Sequence, residues 1–188
     1  KTDRRLVTCM HPHGIVPYAA AIWAAYCDQY LPDLYGFGAT ADVVLYIPFL
    51  RNVISGLSAG RAGVRVCYDA LVHGIAPCCN NAGRKPKHMF VLPGGIAEVF
   101  QSTPGTDRIV FKSRRGLCKL SVKTGAELCP AYVFGGNDFL YNFAAGNSPI
   151  AKFSRKLKTG LTLFYGQLGL PFVPFAPKCS LCLGAPLK

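Results

Sequence analysis

The chain has 188 residues, a length typical of one domain with a buried core. Hydrophobic residues make up 51% of it and charged residues only 16%, while 21 Lys and Arg against 9 Asp and Glu give a net charge of +12. This balance favours anionic membrane surfaces and phosphorylated ligands as partners. The chain has no RNA-binding aromatic signature and no zinc-finger spacing, so nucleic acid is not an expected partner.

No stretch of the sequence predicts a clean transmembrane helix. The closest candidate, residues 159–177, is uncharged but interrupted by glycines and prolines, which favour buried strands, turns or an interfacial segment. The nine cysteines are odd in number and irregularly spaced, and Cys179 and Cys182 form the single C-x-x-C pair. A zinc site would need a second such pair. We therefore expect reduced thiols and no metal.

In chain order, the first predicted elements are a strand and two helical segments. Residues 4–14 predict a short strand that ends in a turn at Pro12, because proline disrupts strand pairing. A helix over residues 15–27 follows. Within residues 42–57, apolar side chains recur at helical spacing, with Pro48 as a boundary or kink.

The elements further along the chain predict a parallel sheet. Residues 88–95 form a buried strand that ends in a glycine turn. A helix then begins with Ser113 as its N-cap and ends with Gly125 as its C-cap, and another strand follows directly. Strand, loop, helix and strand in this order indicate a βαβ unit. We therefore predict a single α/β domain over residues 1–188, with a mostly parallel central sheet and flanking helices.

Two of the four histidines lie in one short turn, His11-Pro12-His13-Gly14. A histidine at the end of a strand and next to a glycine can face a cleft and act as a general base at neutral pH. The alternative is a histidine that only satisfies a hydrogen bond of the turn. Two histidines fixed by a proline leave both interpretations open.

Two glycines and a glutamate form the second candidate, Gly94-Gly95-x-x-Glu98. A glycine pair lets the backbone approach a ligand closely and can present N–H groups to an oxyanion or phosphate. Glu98 is one of only two glutamates in the chain and could point back into the same site. The alternative is an exposed glutamate at a helix start, where the helix dipole favours it.

The third candidate is the arginine pair Arg114 and Arg115 at the predicted N-terminus of a helix. Positive charge opposes the helix dipole at this end, and a bound anion would relieve that conflict. An exposed basic turn is equally compatible with the sequence.

A competing motif, residues 56–60, has the sequence Gly-Leu-Ser-Ala-Gly and matches the nucleophile elbow of serine hydrolases. The elbow should follow a strand, whereas the preceding segment has helical spacing. The family order also needs an acid and a histidine after Ser58, and no histidine follows His88. The sequence therefore disfavours a hydrolase.

Taken together, the three candidate motifs resemble the type-2 diacylglycerol acyltransferase family, which includes monoacylglycerol and wax-ester acyltransferases. The resemblance rests on His-Pro-His-Gly, on Gly-Gly-x-x-Glu with a following Pro-Gly, and on the block from Arg-Arg to Phe-Gly-x-Asn-Asp, and it covers residues 7–186. It implies transfer of a fatty acyl group from acyl-CoA, a co-substrate, to the hydroxyl of diacylglycerol, which gives triacylglycerol. The implied location is the cytosolic face of the endoplasmic reticulum membrane, or lipid droplets. The implied fold is that of the glycerophosphate acyltransferases, in which a histidine is the base, with no separate cofactor.

The resemblance also implies roles for individual residues. We expect His13 as the base, with His11 shaping the turn or assisting. Glu98 would orient the base, because Tyr18 stands where the related H-x-x-x-x-D motif has its aspartate. The apolar residues 15–27 would wall the acyl or diacylglycerol site. Backbone amides of the glycine pair would stabilise the oxyanion and the arginines would hold the phosphates of coenzyme A, so the expected substrate-binding residues are Pro12, Gly14, Gly94, Gly95, Arg114, Arg115, Asn137 and Asp138.

Three departures from the family pattern bear on these expectations. Family members usually carry a hydrophobic membrane hairpin before the histidine motif, so we expect a fragment that lacks this segment and the C-terminal end. Leu117 stands where Phe is expected, and Gly136 where many members have Glu. These two affect acceptor preference more than reaction type. Monoacylglycerol or a fatty alcohol is therefore an alternative acceptor, and a non-catalytic lipid-binding protein, which would not need His13 or Glu98, is a further alternative.

Overall fold

The computed structural model describes residues 4–46, 48–75, 87–143, 148–157, 162–171 and 173–188. Strands and helices alternate along most of this length, and two short 3₁₀ helices cover Pro32–Leu34 and Gln167–Gly169. The elements are β1 (Leu6–His11), α1 (Tyr18–Tyr30), β2 (Phe37–Thr40), α2 (Asp42–Leu45), α3 (Pro48–Gly56), β3 (Ala59–Arg61), α4 (Val64–His73), β4 (His88–Val91), α5 (Ile96–Val99), α6 (Arg115–Thr124), β5 (Glu127–Phe134), β6 (Tyr141–Asn142), α7 (Pro149–Leu157), β7 (Phe164–Tyr165) and β8 (Ser180–Leu183).

The main sheet of the described chain has six strands in the order β3-β2-β4-β1-β5-β8. The first five pair in parallel, and β8 joins the edge antiparallel to β5. A separate antiparallel pair is formed by β6 and β7. The predicted α/β fold with a mostly parallel sheet and flanking helices is thus confirmed.

The central strand β1 is buried along its whole length because helices cover both faces of the sheet. On one face, Val7 and Cys9 pack with residues of α4 and α6. On the other face, Met10 packs with Trp23 of α1 and with neighbours on β4 and β5. Burial on both faces explains why the strand sequence Leu-Val-Thr-Cys-Met-His is nearly continuously apolar.

Helix α1 starts and ends three residues later than the sequence predicts. It covers Tyr18–Tyr30 rather than residues 15–27, with Pro17 at its N-cap position. Proline disfavours helical backbone in the residue before it, so the apolar residues ahead of Pro17 do not join the helix. The helix then continues until the chain reaches Pro32.

Two other helical predictions hold with adjusted boundaries. The helical spacing of residues 42–57 belongs to two helices, α2 and α3, with Pro48 as the first residue of the second. Helix α6 has Arg114 at its N-cap position rather than the predicted Ser113. Its C-cap is Gly125 as predicted, in the left-handed conformation with φ +65°.

In the ranges that the structure describes, no helix has the length and apolar content needed to cross a bilayer. The described parts of residues 159–177 form β7, a short 3₁₀ helix and extended chain, in keeping with their glycines and prolines. Every cysteine in the described ranges is a free thiol, as expected.

Candidate active site

The candidate site lies at the carboxyl end of the central strand. His11 is the last residue of β1 and is buried. Because side chains alternate along a strand, His11 shares its face of the sheet with Val7 and Cys9, toward α4 and α6. Ligands of open α/β sheets bind at the carboxyl ends of the strands, so His11 stands where a site is expected.

The turn that follows β1 depends on Gly14. Its φ is +70°, and a Cβ at this position would lie 3.0 Å from the Gly136 carbonyl oxygen. A Cβ at Gly136 would in turn lie 3.3 Å from the Pro12 ring. Pro12 and Gly14, both predicted to bind substrate, are buried and bring the histidine turn against the chain after β5.

Glu98 joins the histidine turn and the glycine pair into one site. Its side chain is almost fully buried, 1% exposed, and accepts three hydrogen bonds. His11 Nδ1 lies 2.9 Å from Oε1, the Val110 N–H donates to Oε1 at 2.8 Å, and the His13 N–H donates to Oε2 at 2.7 Å. The alternative of an exposed glutamate at a helix start is therefore excluded.

The glycine pair makes room for this carboxylate. A Cβ on Gly94 would lie 1.8 Å from Cδ of Glu98, so only glycine fits beneath the glutamate. Gly95 has φ +53° at the N-cap of α5, and its carbonyl accepts hydrogen bonds from the N–H groups of Glu98 and Val99. The spacing Gly-Gly-x-x-Glu is thus a close-approach motif that folds Glu98 back over Gly94.

The hydrogen bonds of Glu98 keep its carboxyl ionised and fix which ring nitrogen of His11 donates to it. Burial alone raises the pKa of the Glu98 carboxyl, but the hydrogen bonds from His11, Val110 and His13 outweigh it, and the pKa lies below its ordinary value. An ionised carboxylate only accepts, so His11 Nδ1 carries the proton that it donates. In the neutral imidazole with its proton on Nδ1, Nε2 is the acceptor atom, and this buried atom has no hydrogen-bond partner among the described residues.

His13 has a different partner. Its Nδ1 lies 2.9 Å from the Gly14 carbonyl oxygen, and it reaches Glu98 only through its backbone N–H. Burial lowers the pKa of His13, against the opposing effects of Gly14 and Glu98. The structure therefore gives the carboxylate partner to His11 and a neutral carbonyl partner to His13.

A loop that we call loop 101–113 covers the pair. Its Val110 donates to Glu98, and the Phe111 ring packs edge-on against the His11 ring, with 5.7 Å between the ring centroids.

Among the described residues, no three His, Cys, Asp or Glu side chains are grouped as metal ligands would be.

Asn137 and Asp138, which the sequence predicts to bind substrate, hold loop 101–113 in place. Asn137 is buried, accepts a hydrogen bond from the Ser102 hydroxyl at 2.8 Å and donates to the Thr106 carbonyl at 2.7 Å. Asp138 accepts from the Gly105 N–H at 2.9 Å. These contacts position the loop, and substrate binding by the two residues stays a prediction.

The two arginines have different surroundings. Arg114 is partly buried, and its Nη2 donates to the Gly94 carbonyl at 2.7 Å, while its buried Nε has no hydrogen-bond partner in the described part of the chain. Arg115 is exposed in the first turn of α6, a turn without acidic residues. Of the two arginines, Arg114 therefore contacts the glycine loop. Arg115 is part of an exposed basic turn, the alternative that the sequence does not exclude.

An apolar cavity of about 240 Å³ lies on the opposite face of the sheet, beneath α1. It reaches Met10 and Val133, which lie close to the carboxyl ends of β1 and β5. Its lining is Met10, Ala19, Ile22, Trp23, Tyr26, Cys27, Tyr30, Leu31, Val133, Cys179 and Leu181. The predicted apolar wall thus faces a cavity separated from the His11 side chain by the strand itself.

Three residues around the His11–Glu98 pair are not among the candidates that the sequence motifs predict. Val110 and Phe111 belong to loop 101–113 and contact Glu98 and His11. Tyr132 of β5 is the direct strand partner of His11. Strand alternation could assign Tyr132 to a face of the sheet, but its pairing with His11 depends on the register between strands distant in sequence.

The hydrolase motif, residues 56–60, lies in a helix-to-strand turn, which is not the turn of a nucleophile elbow. Ser58 has φ +56°, as an elbow serine would, but it follows α3 and precedes β3, whereas a nucleophile elbow connects a strand to a following helix. Its hydroxyl is 2.5 Å from the Tyr35 hydroxyl. This order of elements argues against a hydrolase.

The close approach at Gly94 leads to the first prediction. Gly94→Ala should displace Glu98 and lower kcat by about 10²-fold, because a shift of about 1 Å in a catalytic group has that effect. Steady-state kinetics and thermal unfolding would measure it. Gly56→Ala is the control, since among the described residues its added Cβ meets no atom within 4 Å beyond its chain neighbours and its own helix backbone. A fully active Gly94→Ala protein would show that Glu98 is not needed in this position.

Comparison with known proteins supports the resemblance of the three motifs. The family model described as diacylglycerol acyltransferase matches residues 1–188. The mouse diacylglycerol O-acyltransferase 2-like protein 6 is 32% identical, with 94% of this chain and 55% of the relative aligned. Diacylglycerol O-acyltransferase 2 of Dictyostelium discoideum is 31% identical over 87% of this chain and 49% of its own length. The mouse acyl-CoA wax alcohol acyltransferase 2 is 28% identical over 98% of this chain and 57% of its own length.

The chain spans about half the length of these curated relatives. No solved structure matches it significantly. The family model nevertheless matches residues 1–188, and two relatives exceed 30% identity over most of this chain. The chain therefore belongs to the diacylglycerol acyltransferase family.

Proposed function

We propose that this protein transfers a fatty acyl group from acyl-CoA to the free hydroxyl of diacylglycerol and forms triacylglycerol, with His11 as the general base. The observation that carries the proposal is the buried His11–Glu98 pair, whose Nε2 has no partner in the described chain, at the carboxyl end of the central strand. The relatives, which include a diacylglycerol O-acyltransferase 2, support this reaction class.

The reaction needs a base because the pKa of an alcohol lies far above 7. His11 Nε2 takes the hydroxyl proton while the hydroxyl oxygen attacks the thioester carbon. The carbonyl oxygen becomes negatively charged, and backbone amides of Gly94 and Gly95 are proposed to stabilise it. The C–S bond then breaks, and the coenzyme A thiolate takes the proton back from His11. The products are the ester and free coenzyme A.

The choice of His11 differs from the prediction made from the sequence, which favoured His13 because of its neighbour Gly14. Glu98 stabilises the imidazolium that forms on His11, and it holds the tautomer in which Nε2 is the acceptor. In the described part of the chain the His13 ring contacts the Gly14 carbonyl rather than a carboxylate, and burial lowers its pKa, which makes it a weaker base. His13 remains close enough to assist through its backbone N–H.

The phosphates of coenzyme A are proposed to bind at the N-terminus of α6. The Nε of Arg114 has no hydrogen-bond partner among the residues that the structure describes, and the net charge of +12 attracts a polyanion. Arg115 lies on the exposed first turn, where its charge attracts the phosphates from a distance but does not hold them in a defined hydrogen bond.

The arginines should therefore differ in effect. Arg114→Ala should raise the KM for acyl-CoA about tenfold or more, the effect of losing one hydrogen bond to a charged group. Arg115→Ala should raise it less than about threefold, and added salt should raise it in the unmodified protein. Arg65→Ala, which removes a surface arginine near Asp69, is the matched control. If kcat collapses in Arg114→Ala while KM stays constant, Arg114 does not bind coenzyme A.

The apolar cavity beneath α1 is proposed to take the acyl chain. It opens beside the carboxyl ends of β1 and β5, one residue from His11 along β1. Positive charge and apolar surface together favour an anionic membrane, so we propose that the protein works at the cytosolic face of the endoplasmic reticulum membrane or on lipid droplets.

A fatty alcohol is the second candidate acceptor, because a wax alcohol acyltransferase is among the relatives. The test is an assay of the full-length protein in membranes with labelled acyl-CoA and, in parallel, diacylglycerol, monoacylglycerol and a fatty alcohol. Triacylglycerol should be the main product. A larger yield of wax ester would make the fatty alcohol the acceptor. Lipid binding without any ester product would indicate a non-catalytic lipid-binding protein.

A further inference from the structure

Three buried polar atoms near the Glu98 carboxylate have no hydrogen-bond partner in the described chain. They are His11 Nε2, Arg114 Nε and the Tyr132 hydroxyl oxygen. The first two belong to residues that the proposed function already uses. An unpaired polar atom in a protein interior has a free-energy cost, so its presence here points to a contact with substrate.

The strand register brings Tyr132 next to His11. The two residues are Cα partners in the parallel pair of β1 and β5. Neighbouring strands lie about 4.8 Å apart, and partners in register point to the same face. Each ring also packs edge-on against a phenylalanine: His11 against Phe111, and Tyr132 against Phe134 with centroids 4.9 Å apart.

Tyr132 keeps its proton at neutral pH. Burial raises the pKa of its phenol most, and the Asp107 carboxylate comes next. Asp107 faces the hydroxyl closely, but in the described chain the contact does not have the distance and angle of a hydrogen bond, so the hydroxyl stays available to a ligand. The more distant charge of Glu98 acts in the same direction. A phenol in this state can donate a hydrogen bond but cannot serve as a base. Its chemistry therefore complements that of His11, which accepts a proton.

We propose that the Tyr132 hydroxyl donates a hydrogen bond to the thioester carbonyl oxygen as that oxygen becomes negatively charged. The inference rests on the proposed acyl transfer, and it makes Tyr132 a catalytic residue beside the Gly94–Gly95 amides. The O–H bond of Tyr132 does not break. The proton of the acceptor hydroxyl passes through His11 to the coenzyme A thiolate, as before.

The test is Tyr132→Phe in the full-length protein. Loss of one oxyanion donor should lower kcat by about 10² to 10³, with the KM for acyl-CoA changed less than about threefold. The melting temperature should stay constant or rise, because the substitution removes a buried hydroxyl that forms no hydrogen bond with the described residues, and it keeps the ring against Phe134. This separates a catalytic loss from unfolding.

Tyr35→Phe is the matched control. It also removes a partly buried tyrosine hydroxyl, one that contacts Ser58 outside the site, and should leave kcat within about threefold. Activity of Tyr132→Phe within threefold of an active unmodified protein would overturn this inference and leave the proposed function intact. A raised acceptor KM with unchanged kcat would also overturn it. An unmodified protein that transfers no acyl group would overturn both.

Discussion

Replacing His11 by Gln should lower kcat by about 10² to 10⁴, the usual contribution of a general base. The glutamine amide can still donate a hydrogen bond to Glu98, so the site should keep its shape, but an amide cannot take the proton of the acceptor hydroxyl. The KM for acyl-CoA should change little, because the proposed phosphate site lies at Arg114 rather than at His11. Initial rates at matched protein levels in membranes would measure the loss.

His13→Gln is the comparison that identifies the base. The His13 side chain bonds to the Gly14 carbonyl, while its link to Glu98 is a backbone hydrogen bond that the substitution preserves. We expect a loss of less than about tenfold, as for a residue that shapes a turn. An inactive His13→Gln beside an active His11→Gln would make His13 the base, as its place next to Gly14 suggests in the sequence.

The elements of the fold are predictable where their signals are local. Pro12 ends β1, Pro48 separates the two helical segments, and Gly125 closes α6 in the left-handed conformation. The alternation of strands and helices then implies the parallel sheet. The start of α1 is less predictable, because residues 15 and 16 continue the apolar pattern although Pro17 keeps them out of the helix.

The contacts between distant segments could not be predicted in the same way. The sequence identifies Glu98 as a candidate, but Glu98 lies 87 residues from His11 in the chain. His11 and His13 are only two residues apart, so the sequence does not tell which of the two rings the carboxylate contacts. Asn137 has the polarity of a ligand-binding residue, yet its amide is engaged with Ser102 and Thr106. Composition and spacing do not contain this information, because it arises from register and packing.

The ionised state of Glu98 predicts how stability depends on pH. The pKa of its carboxyl is lower in the folded chain than the ordinary 4.5, since hydrogen bonds outweigh the effect of burial. Glu98 therefore stabilises the fold above about pH 4.5, and this contribution is lost as the pH falls through the lowered value. Denaturation at several pH values should show a steeper acid-side loss of unfolding free energy in the unmodified protein than in Glu98→Gln.

The same substitution should have the largest effect on catalysis of any change outside the histidines. Glutamine has a single carbonyl oxygen, so its NH₂ group replaces either Oε2, which accepts from the His13 N–H, or Oε1, which accepts from both His11 and Val110. In the second orientation His11 can relieve its own part of the conflict by moving its proton to Nε2, and the tautomer that results cannot act as a base. In both orientations the negative charge that stabilises the His11 imidazolium is lost.

We expect kcat of Glu98→Gln to fall by about 10³ to 10⁴, the effect of holding a catalytic histidine in the wrong tautomer. Glu127→Gln is the matched control, because Glu127 is the other glutamate of the chain and pairs with Arg4 at 2.6 Å, away from His11. That variant should keep kcat within about threefold. A Glu98→Gln protein that keeps more than a tenth of the activity would show that the carboxylate does not hold the base, and the case for His11 over His13 would lose its main support.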